Sequence, residues 1–365
     1  MKIKAWYLVI ALAVVAVGCK DPVLEVPTSY VSASYEANVA TENTVIGELS
    51  TMTSAANDAE SNAQSSTVAA ISYPTNLSGV TEANYRAKVG EWLTQLVNAA
   101  NSTTGFQTPA VGDSPMMGEE GGLLGSRLLD ENGLELEQMI QKGSFGAALY
   151  NHALTVINGD LSNSSAIDKL VEIHGTDASF DVSGTTAAAT YSRRRSNLDA
   201  QTGFFFDIKN ALITAKAAID QGGDDDDFVT DLNTSLDNYL LAWEKSNFAT
   251  VIYYSNAAKT GLQDASALPD GQAKDDALGN AMHAYAEGVA FAAGFRGISR
   301  KMITDAQIDS ILALLLAPAG QTPTSYRFLN EASLLSNFDQ VISDIQGIYG
   351  FTAAEVTSFY VNNNP

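Results

Sequence analysis

Residues 204–220 read FFFDIKNALITAKAAID, a run in which apolar side chains recur every three to four positions. This spacing matches the 3.6-residue repeat of an amphipathic α-helix that packs one face on a core. The run therefore predicts a buried helix, and it indicates the fold of the residues that follow. The same spacing returns in later runs at 226–242, 244–262, 272–296, 304–316, 325–347 and, more briefly, near 352–359.

Helical spacing also dominates the N-terminal half, whereas no run there alternates convincingly with the period of two that a half-buried strand shows. Thr81, Thr304 and Ser325 stand where side-chain N-caps are expected. The sequence therefore predicts an all-α fold of helical bundles, with two packed helical halves. The N-terminal helical runs cover residues 33–64, 81–101, 133–142, 144–157 and 164–173.

The natural division of the chain lies in residues 174–202, which are polar, small and irregular in pattern. We predict an N-terminal helical half at 31–173, an irregular connection at 174–202 with a possible small hairpin, and a C-terminal helical half at 203–365. The sequence leaves open whether the two halves are one domain or two.

The N-terminus has the order of a bacterial secretory signal. Lys2 and Lys4 form a basic start, residues 5–17 are almost wholly apolar, and Ala16-Val17-Gly18 leads into Cys19. The apolar run is shorter than the roughly 20 residues of a membrane-spanning helix. We therefore predict a signal peptide at 1–18, lipidation of Cys19, which attaches the chain to a membrane, and an extended lipidated tether at 19–30.

Composition excludes several classes of function. The chain has 42 acidic and 20 basic residues, for a net charge of −22, and such a surface repels nucleic-acid phosphates. Cys19 is the only cysteine, so an internal disulfide, a thiol catalyst and a thiolate zinc site are all excluded for the mature protein.

Two pairs of polar residues are the candidates for chemistry. His283 and Glu287 are four positions apart and share a helix face, where an imidazole and a carboxylate could hold a divalent metal or iron. Asp207 and Glu244 lie in otherwise apolar runs, where a carboxylate is costly unless it is paired. The sequence leaves two explanations open for these four residues, a metal site and a set of buried ion pairs and hydrogen bonds that fix the register of the helices.

Two further segments have unusual composition. The glycine-rich segment 118–127 lacks the lysine of a phosphate-binding loop, so we expect close packing of its backbone against helices. Residues 193–195 are three arginines in a very acidic chain. We expect them to pair with acidic groups of the body or to receive an anionic ligand.

Three segments carry a resemblance to a known group of proteins: 26–30, 121–143, and the region from His283 and Glu287 to 294–297. The chain resembles uncharacterised bacteroidete lipoproteins related to, or encoded beside, imelysin-like iron-regulated proteins. The resemblance implies an all-helical, two-bundle fold at the cell envelope and a role in iron acquisition. Imelysins carry a Gly-x-His-x-x-Glu motif, whereas here Gly279 precedes His283 by four positions and Glu287 follows it by four.

Together these features predict an outer-membrane lipoprotein on the periplasmic or surface-exposed face, acting as a non-enzymatic binding or accessory protein in uptake of iron or another metal. Its expected partners are an outer-membrane transporter or an imelysin-like lipoprotein. One alternative is a metal-dependent hydrolase of imelysin-like type, with Glu287 or Glu244 as base. Another is a surface glycan- or protein-binding module that exposes Tyr253, Tyr254 or Tyr326.

Overall fold

The computed structural model describes residues 22–222 and 228–365, so the predicted signal peptide and Cys19 lie outside the described residues. The fold is all-α, as predicted, with two small antiparallel hairpins. The helices are α1 (Tyr35–Asn38), α2 (Ala40–Asn62), α3 (Thr75–Val80), α4 (Ala83–Asn101), α5 (Leu136–Ser144), α6 (Asn151–Ile157), α7 (Ser165–His174), α8 (Ala187–Arg194), α9 (Phe204–Gly222), α10 (Val229–Ser266), α11 (Gln272–Ala293), α12 (Asp305–Leu314), α13 (Ser336–Tyr349) and α14 (Ala353–Phe359).

The long helix α10 is the centre of the fold. The sequence predicted two helices here, at 226–242 and 244–262, but α10 continues unbroken through Trp243 for 38 residues. Neither proline nor glycine interrupts the pattern at that point, so nothing ends the first helix. At 1.5 Å per residue α10 is about 57 Å long. It packs against α9, α11 and α13, and buries Trp243 edge-on to Tyr150, with ring centroids 5.3 Å apart.

A second buried helix runs from Leu136 to Ile157, because α5 continues through a π-helical turn (Phe145–Tyr150) into α6. Glycines let its backbone approach the end of α11. A Cβ on Gly143 would lie 1.5 Å from the Tyr85 hydroxyl, and one on Gly294 would lie 2.2 Å from the carbonyl oxygen of Gly143. Any larger residue would separate the helices. This close packing brings the polar side chains of α5 against α11.

The glycine-rich segment forms the first hairpin, β1 (Gly122–Leu124) paired with β2 (Arg127–Leu129). Gly125 at its turn has φ +60°, and a Cβ there would lie 2.6 Å from the Cα of Asp276 in α11. The expected close packing of this segment is therefore confirmed. The second hairpin, β3 (Ser196–Asn197) with β4 (Thr202–Gly203), confirms the small hairpin predicted near 174–202, a stretch that also contains α8.

One of the three predicted N-caps is confirmed. Thr304 caps α12 in a capping box. Thr81 instead donates its hydroxyl to a backbone carbonyl, and Glu82 caps α4 by accepting the amide of residue 85 at 2.9 Å. Ser325 begins a 3₁₀ turn rather than a long helix, and its buried hydroxyl is 2.7 Å from that of Tyr285. That buried contact explains why the serine does not cap a helix.

The arginines at 193–195 hold the C-terminal tail. Arg195 is buried, donates to the carbonyl oxygens of Phe359 and Val361, and lies over the ring of Tyr253 at 4.4 Å. Arg193 donates to the carbonyl oxygen of Asn363 at 3.3 Å. Among the residues that the structure describes, the hydrogen-bond partners of these two arginines are main-chain carbonyls and neutral side chains rather than the expected acidic groups. Burial lowers the pKa of Arg195 to about 10.

One continuous hydrophobic core contains residues from both halves of the chain, with α5 of the first half packed on α11 of the second. Among the residues that the structure describes, no helix is both long enough and apolar enough to cross a membrane.

Candidate functional site: a buried charged cluster

Seven ionisable side chains meet where α2, the first hairpin, α5 and α11 adjoin. Three of their carboxylates are almost completely inaccessible to solvent, which is unusual for glutamate. The side chains come from both halves of the chain, so the tertiary fold assembles them. We call this group the charged cluster: Glu60, Arg127, Glu135, Glu137, Lys142, His283 and Glu287.

The closest contact in the charged cluster joins Glu135 and His283. Glu135 stands at the N-cap position of α5 and is 0% exposed. Its two carboxyl oxygens lie 3.0 and 2.8 Å from Nδ1 of His283. Burial and the nearby Glu60 raise the pKa of Glu135 well above its usual range. Burial also lowers the pKa of His283, although Glu287 opposes that shift. Both directions favour the uncharged forms of the two groups.

Lys142 provides a positive charge in the interior. Its Nζ is 3.4 Å from Oε1 of Glu287 and lies over the ring of Tyr191, 5.8 Å from the centroid. Burial by itself would lower the pKa of Lys142, but Tyr191, Glu287 and Glu137 together raise it. Glu287 also faces Nε2 of His283 at 3.9 Å, so the imidazole lies between two carboxyl groups.

Arg127 closes the charged cluster on the side of the first hairpin. Its Nη1 lies 3.5 Å from Oε1 of Glu60 and 3.9 Å from Oε1 of Glu135. Glu60 also accepts the amide of Leu128 at 3.2 Å, and Arg127 donates to Asn280 of α11. These contacts join α2, β2 and α11. Side-chain exposures of 28% for Arg127, 24% for His283 and 14% for Glu60 place solvent access on this side.

Glu137 is another deeply buried carboxyl group of the charged cluster. It is 2% exposed, and Gln138 donates to it from the next position on α5. Burial raises the pKa of Glu137, and Lys142 opposes the shift. The other end of the Gln138 amide, Oε1, is buried without a hydrogen-bond partner. A buried acceptor without a donor has lost its hydration, so this point in the site favours a donor or a cation.

The charged cluster therefore holds four carboxyl groups against two permanent cations, Arg127 and Lys142. Four ionised carboxylates in a buried site would repel one another strongly. Burial raises the pKa values of Glu135 and Glu137, which favours protons on these two groups, and such protons relieve the repulsion. The arrangement can exchange those protons, or it can accept an added positive charge in their place.

Two of the four predicted ligands have other surroundings. Glu244 on α10 accepts the amides of Met302 at 2.7 Å and Ile303 at 2.8 Å, and the Tyr349 hydroxyl at 2.7 Å. It therefore stabilises the turn before α12. Asp207 is exposed in the first turn of α9, where an acidic residue interacts favourably with the helix dipole. The structure brings His283 and Glu287 together, but it does not place Glu244 or Asp207 in a common site with them.

The residues do not form a ready-made metal site. Throughout 22–222 and 228–365, no group of three or more His, Cys, Asp or Glu side chains is arranged to hold a metal ion. The metal site predicted from His283, Glu287, Asp207 and Glu244 does not fit this geometry. The alternative of buried ion pairs and hydrogen bonds fits better, because Glu287 pairs with Lys142 and His283 lies within hydrogen-bond distance of Glu135.

Sequence reasoning missed Glu60, Glu135, Glu137 and Lys142. A usable signal was present for two of them, because Glu135 and Glu137 interrupt an apolar run, as Glu244 does. The burial of these two glutamates could therefore be predicted from the apolar residues around them. The partners were not readable, because they come from α2 and α11, which are distant in sequence.

The aromatic residues proposed for a binding patch are largely inside the protein. Tyr254 and Tyr326 are 7% and 4% exposed, and Tyr253 lies beneath Arg195.

Comparison of this chain with protein-family models, with curated proteins and with solved structures gives no match.

Proposed function

We propose that this chain is a lipid-anchored helical protein of the cell envelope that acts as a non-enzymatic binding or accessory protein. The run from Ala16 to Cys19 supports the anchor, and the outer membrane is the proposed location. The all-helical fold agrees with the fold that the imelysin resemblance implies. By the same resemblance we propose a role in uptake of iron or another metal, beside an outer-membrane transporter or an imelysin-like lipoprotein.

The observation that carries the binding role is the excess of carboxyl groups in the charged cluster. A buried site with more acids than cations gains free energy from an added positive charge, provided that the charge can enter. Because the described part of the chain holds no preformed metal cage, we propose that a cation binds only when the contact between Glu135 and His283 opens. Binding then competes with protons, and affinity should fall as the pH is lowered.

The geometry favours binding over hydrolysis. In a hydrolase, a general base must be able to reach a proton of water or of the substrate. Here Glu244 accepts three hydrogen bonds from its own fold, and Glu287 is paired with Lys142 at 3.4 Å.

The anchor and the binding site have separate tests. The full chain, expressed in a lipoprotein-processing host, should incorporate an alkyne-tagged fatty acid, and Cys19→Ala should incorporate none. The detergent-extracted chain should then be titrated with iron(II), zinc and calcium by calorimetry. We expect binding that weakens at least about tenfold in His283→Ala, as for loss of one ligand or its partner. His152→Ala, another poorly accessible histidine, is the control and should bind like the parent. Absence of metal binding by the parent at neutral pH would overturn the metal role.

A further inference from the structure

The N-terminal segment is fastened to the body and is not a loose tether. We call residues 22–34 the N-terminal strap. Near its start, the amide of Glu25 donates to Oε1 of Gln221 at 3.0 Å, and Nε2 of Gln221 donates back to the carbonyl of Glu25 at 2.7 Å. Gln221 stands in the last turn of α9. Its side-chain amide thus pairs with the extended strap as a neighbouring strand would.

A second attachment follows at the end of the strap. Asp168 on α7 is 1% exposed and accepts hydrogen bonds from Tyr30 at 2.5 Å, Ser32 at 2.8 Å and Asn38 at 2.7 Å. Tyr30 is itself buried and packs on Phe180, with ring centroids 5.8 Å apart. Two of these three donors belong to the N-terminal strap and the third to α1, so releasing the strap would leave the buried acid with a single partner.

These attachments limit how far the body can stand from a membrane. Cys19 precedes Glu25 by six positions, and six fully extended residues span at most about 20 Å. If the linker were loose as far as Tyr30, the reach would be about 36 Å, which would permit many orientations. The contact between Glu25 and Gln221 therefore brings the end of α9 close to whatever holds Cys19.

From this geometry we infer that the end of the molecule formed by the N-terminal strap, the last turn of α9 and the first turn of α10 faces the lipid bilayer. The inference rests on the proposed lipidation of Cys19. Exposed apolar side chains lie at this end: Val23 is 83% exposed, Val26 49% and Val229 44%. Because the chain carries a net charge of −22, the surface that it meets is a zwitterionic lipid face rather than an anionic one.

The single cysteine makes a direct test possible. Lipidated Cys19 has no reactive thiol, so one introduced cysteine can be labelled alone with a maleimide fluorophore. We choose Asn233→Cys near the start of α10 and Gln263→Cys near its end, both exposed. They are 30 residues apart on one helix, about 45 Å. Each full chain is placed in phosphatidylcholine vesicles that contain a trace of rhodamine-labelled lipid.

We expect several-fold more energy transfer to the lipid dye from position 233 than from position 263. Gln221→Ala, which removes both hydrogen bonds to Glu25, should reduce that difference while circular dichroism stays unchanged. Equal transfer from the two positions, or stronger transfer from 263, would overturn the orientation and leave the anchor standing. A maleimide-reactive thiol in the membrane-extracted parent would overturn both the lipid anchor and the orientation.

Discussion

Two buried glutamates in this protein are accommodated in opposite ways. Glu244 is 1% exposed, and its two carboxyl oxygens accept hydrogen bonds from two main-chain amides and a tyrosine hydroxyl. Glu135 is 0% exposed and faces one imidazole, a distant guanidinium and other acids. The first site is complete within the fold. The second needs a proton or another positive charge.

The difference shows that burial of an acid does not by itself mark a functional site. The kind of hydrogen-bond donor around the buried acid decides whether the site can change its charge. Main-chain amides carry no charge and are fixed by the fold. Glu244 can therefore connect the turn before α12 to α10 and α13 without a charged partner. The charged cluster instead balances ionisable groups against each other, so its charge state depends on pH and on bound ions.

The largest expected effect comes from removing the buried cation of the charged cluster. Lys142→Met keeps most of the side-chain volume but leaves Glu287 and Glu137 without their nearest positive charge. Breaking one partner of a buried ion pair costs about 3–5 kcal/mol, and we expect about 4 kcal/mol here at pH 8. The loss of unfolding free energy is measured by urea titration of the full chain, with circular dichroism as the signal.

The matched control is Lys88→Met. Lys88 is 2.7 Å from Glu91, a shorter distance than in the buried pair, but the two side chains are 52% and 57% exposed. Solvent screening makes such pairs weak, so this variant should unfold like the parent. If Lys142→Met also unfolded like the parent, the stability of the protein would not depend on the positive charge of Lys142 in the charged cluster.

A smaller loss is expected at the complete site. Glu244→Ala leaves the amides of Met302 and Ile303 and the Tyr349 hydroxyl without their acceptor. We expect a loss of about 3 kcal/mol, and about half of that for Glu244→Gln, which keeps one acceptor oxygen. The decisive measurement compares pH 5.5 with pH 8. The Glu244→Ala loss should be similar at both, whereas the Lys142→Met loss should shrink at pH 5.5 as neighbouring acids take up protons.

The helical class, the limits of most helices and the small hairpin near 174–202 could be predicted, because they depend on local spacing and on breakers. The continuity of α10 through Trp243 was missed, since a weak interruption in pattern does not end a helix that is buried along its length. His283 and Glu287 were found because four-residue spacing is local. Glu60 and Lys142 were missed because contacts between distant helices, including the approach at Gly143, assemble the charged cluster.

The smallest effect we predict is a change in the pH dependence of stability. Burial raises the pKa of Glu135 above the ordinary 4.5 in the folded protein, so the folded state holds this proton more tightly than the unfolded state does. The stabilisation from that proton is complete below pH 4.5 and is lost as the pH rises through the folded pKa. Glu135→Gln imitates the protonated form, so its unfolding free energy should fall less than that of the parent between pH 4.5 and 8.

Asp130, whose pKa burial raises to about 7, also titrates in this range, but it lies outside the charged cluster and contributes equally to both proteins. Glu244→Gln is the matched control, because the same chemical change at the complete site should leave the parental pH dependence in place. A pH profile of Glu135→Gln parallel to that of the parent would mean that Glu135 is ionised when buried. The contrast between Glu135 and Glu244 would then disappear, because both carboxylates would be satisfied by their surroundings in the fold. The charged cluster would have no proton on Glu135 to exchange for a cation.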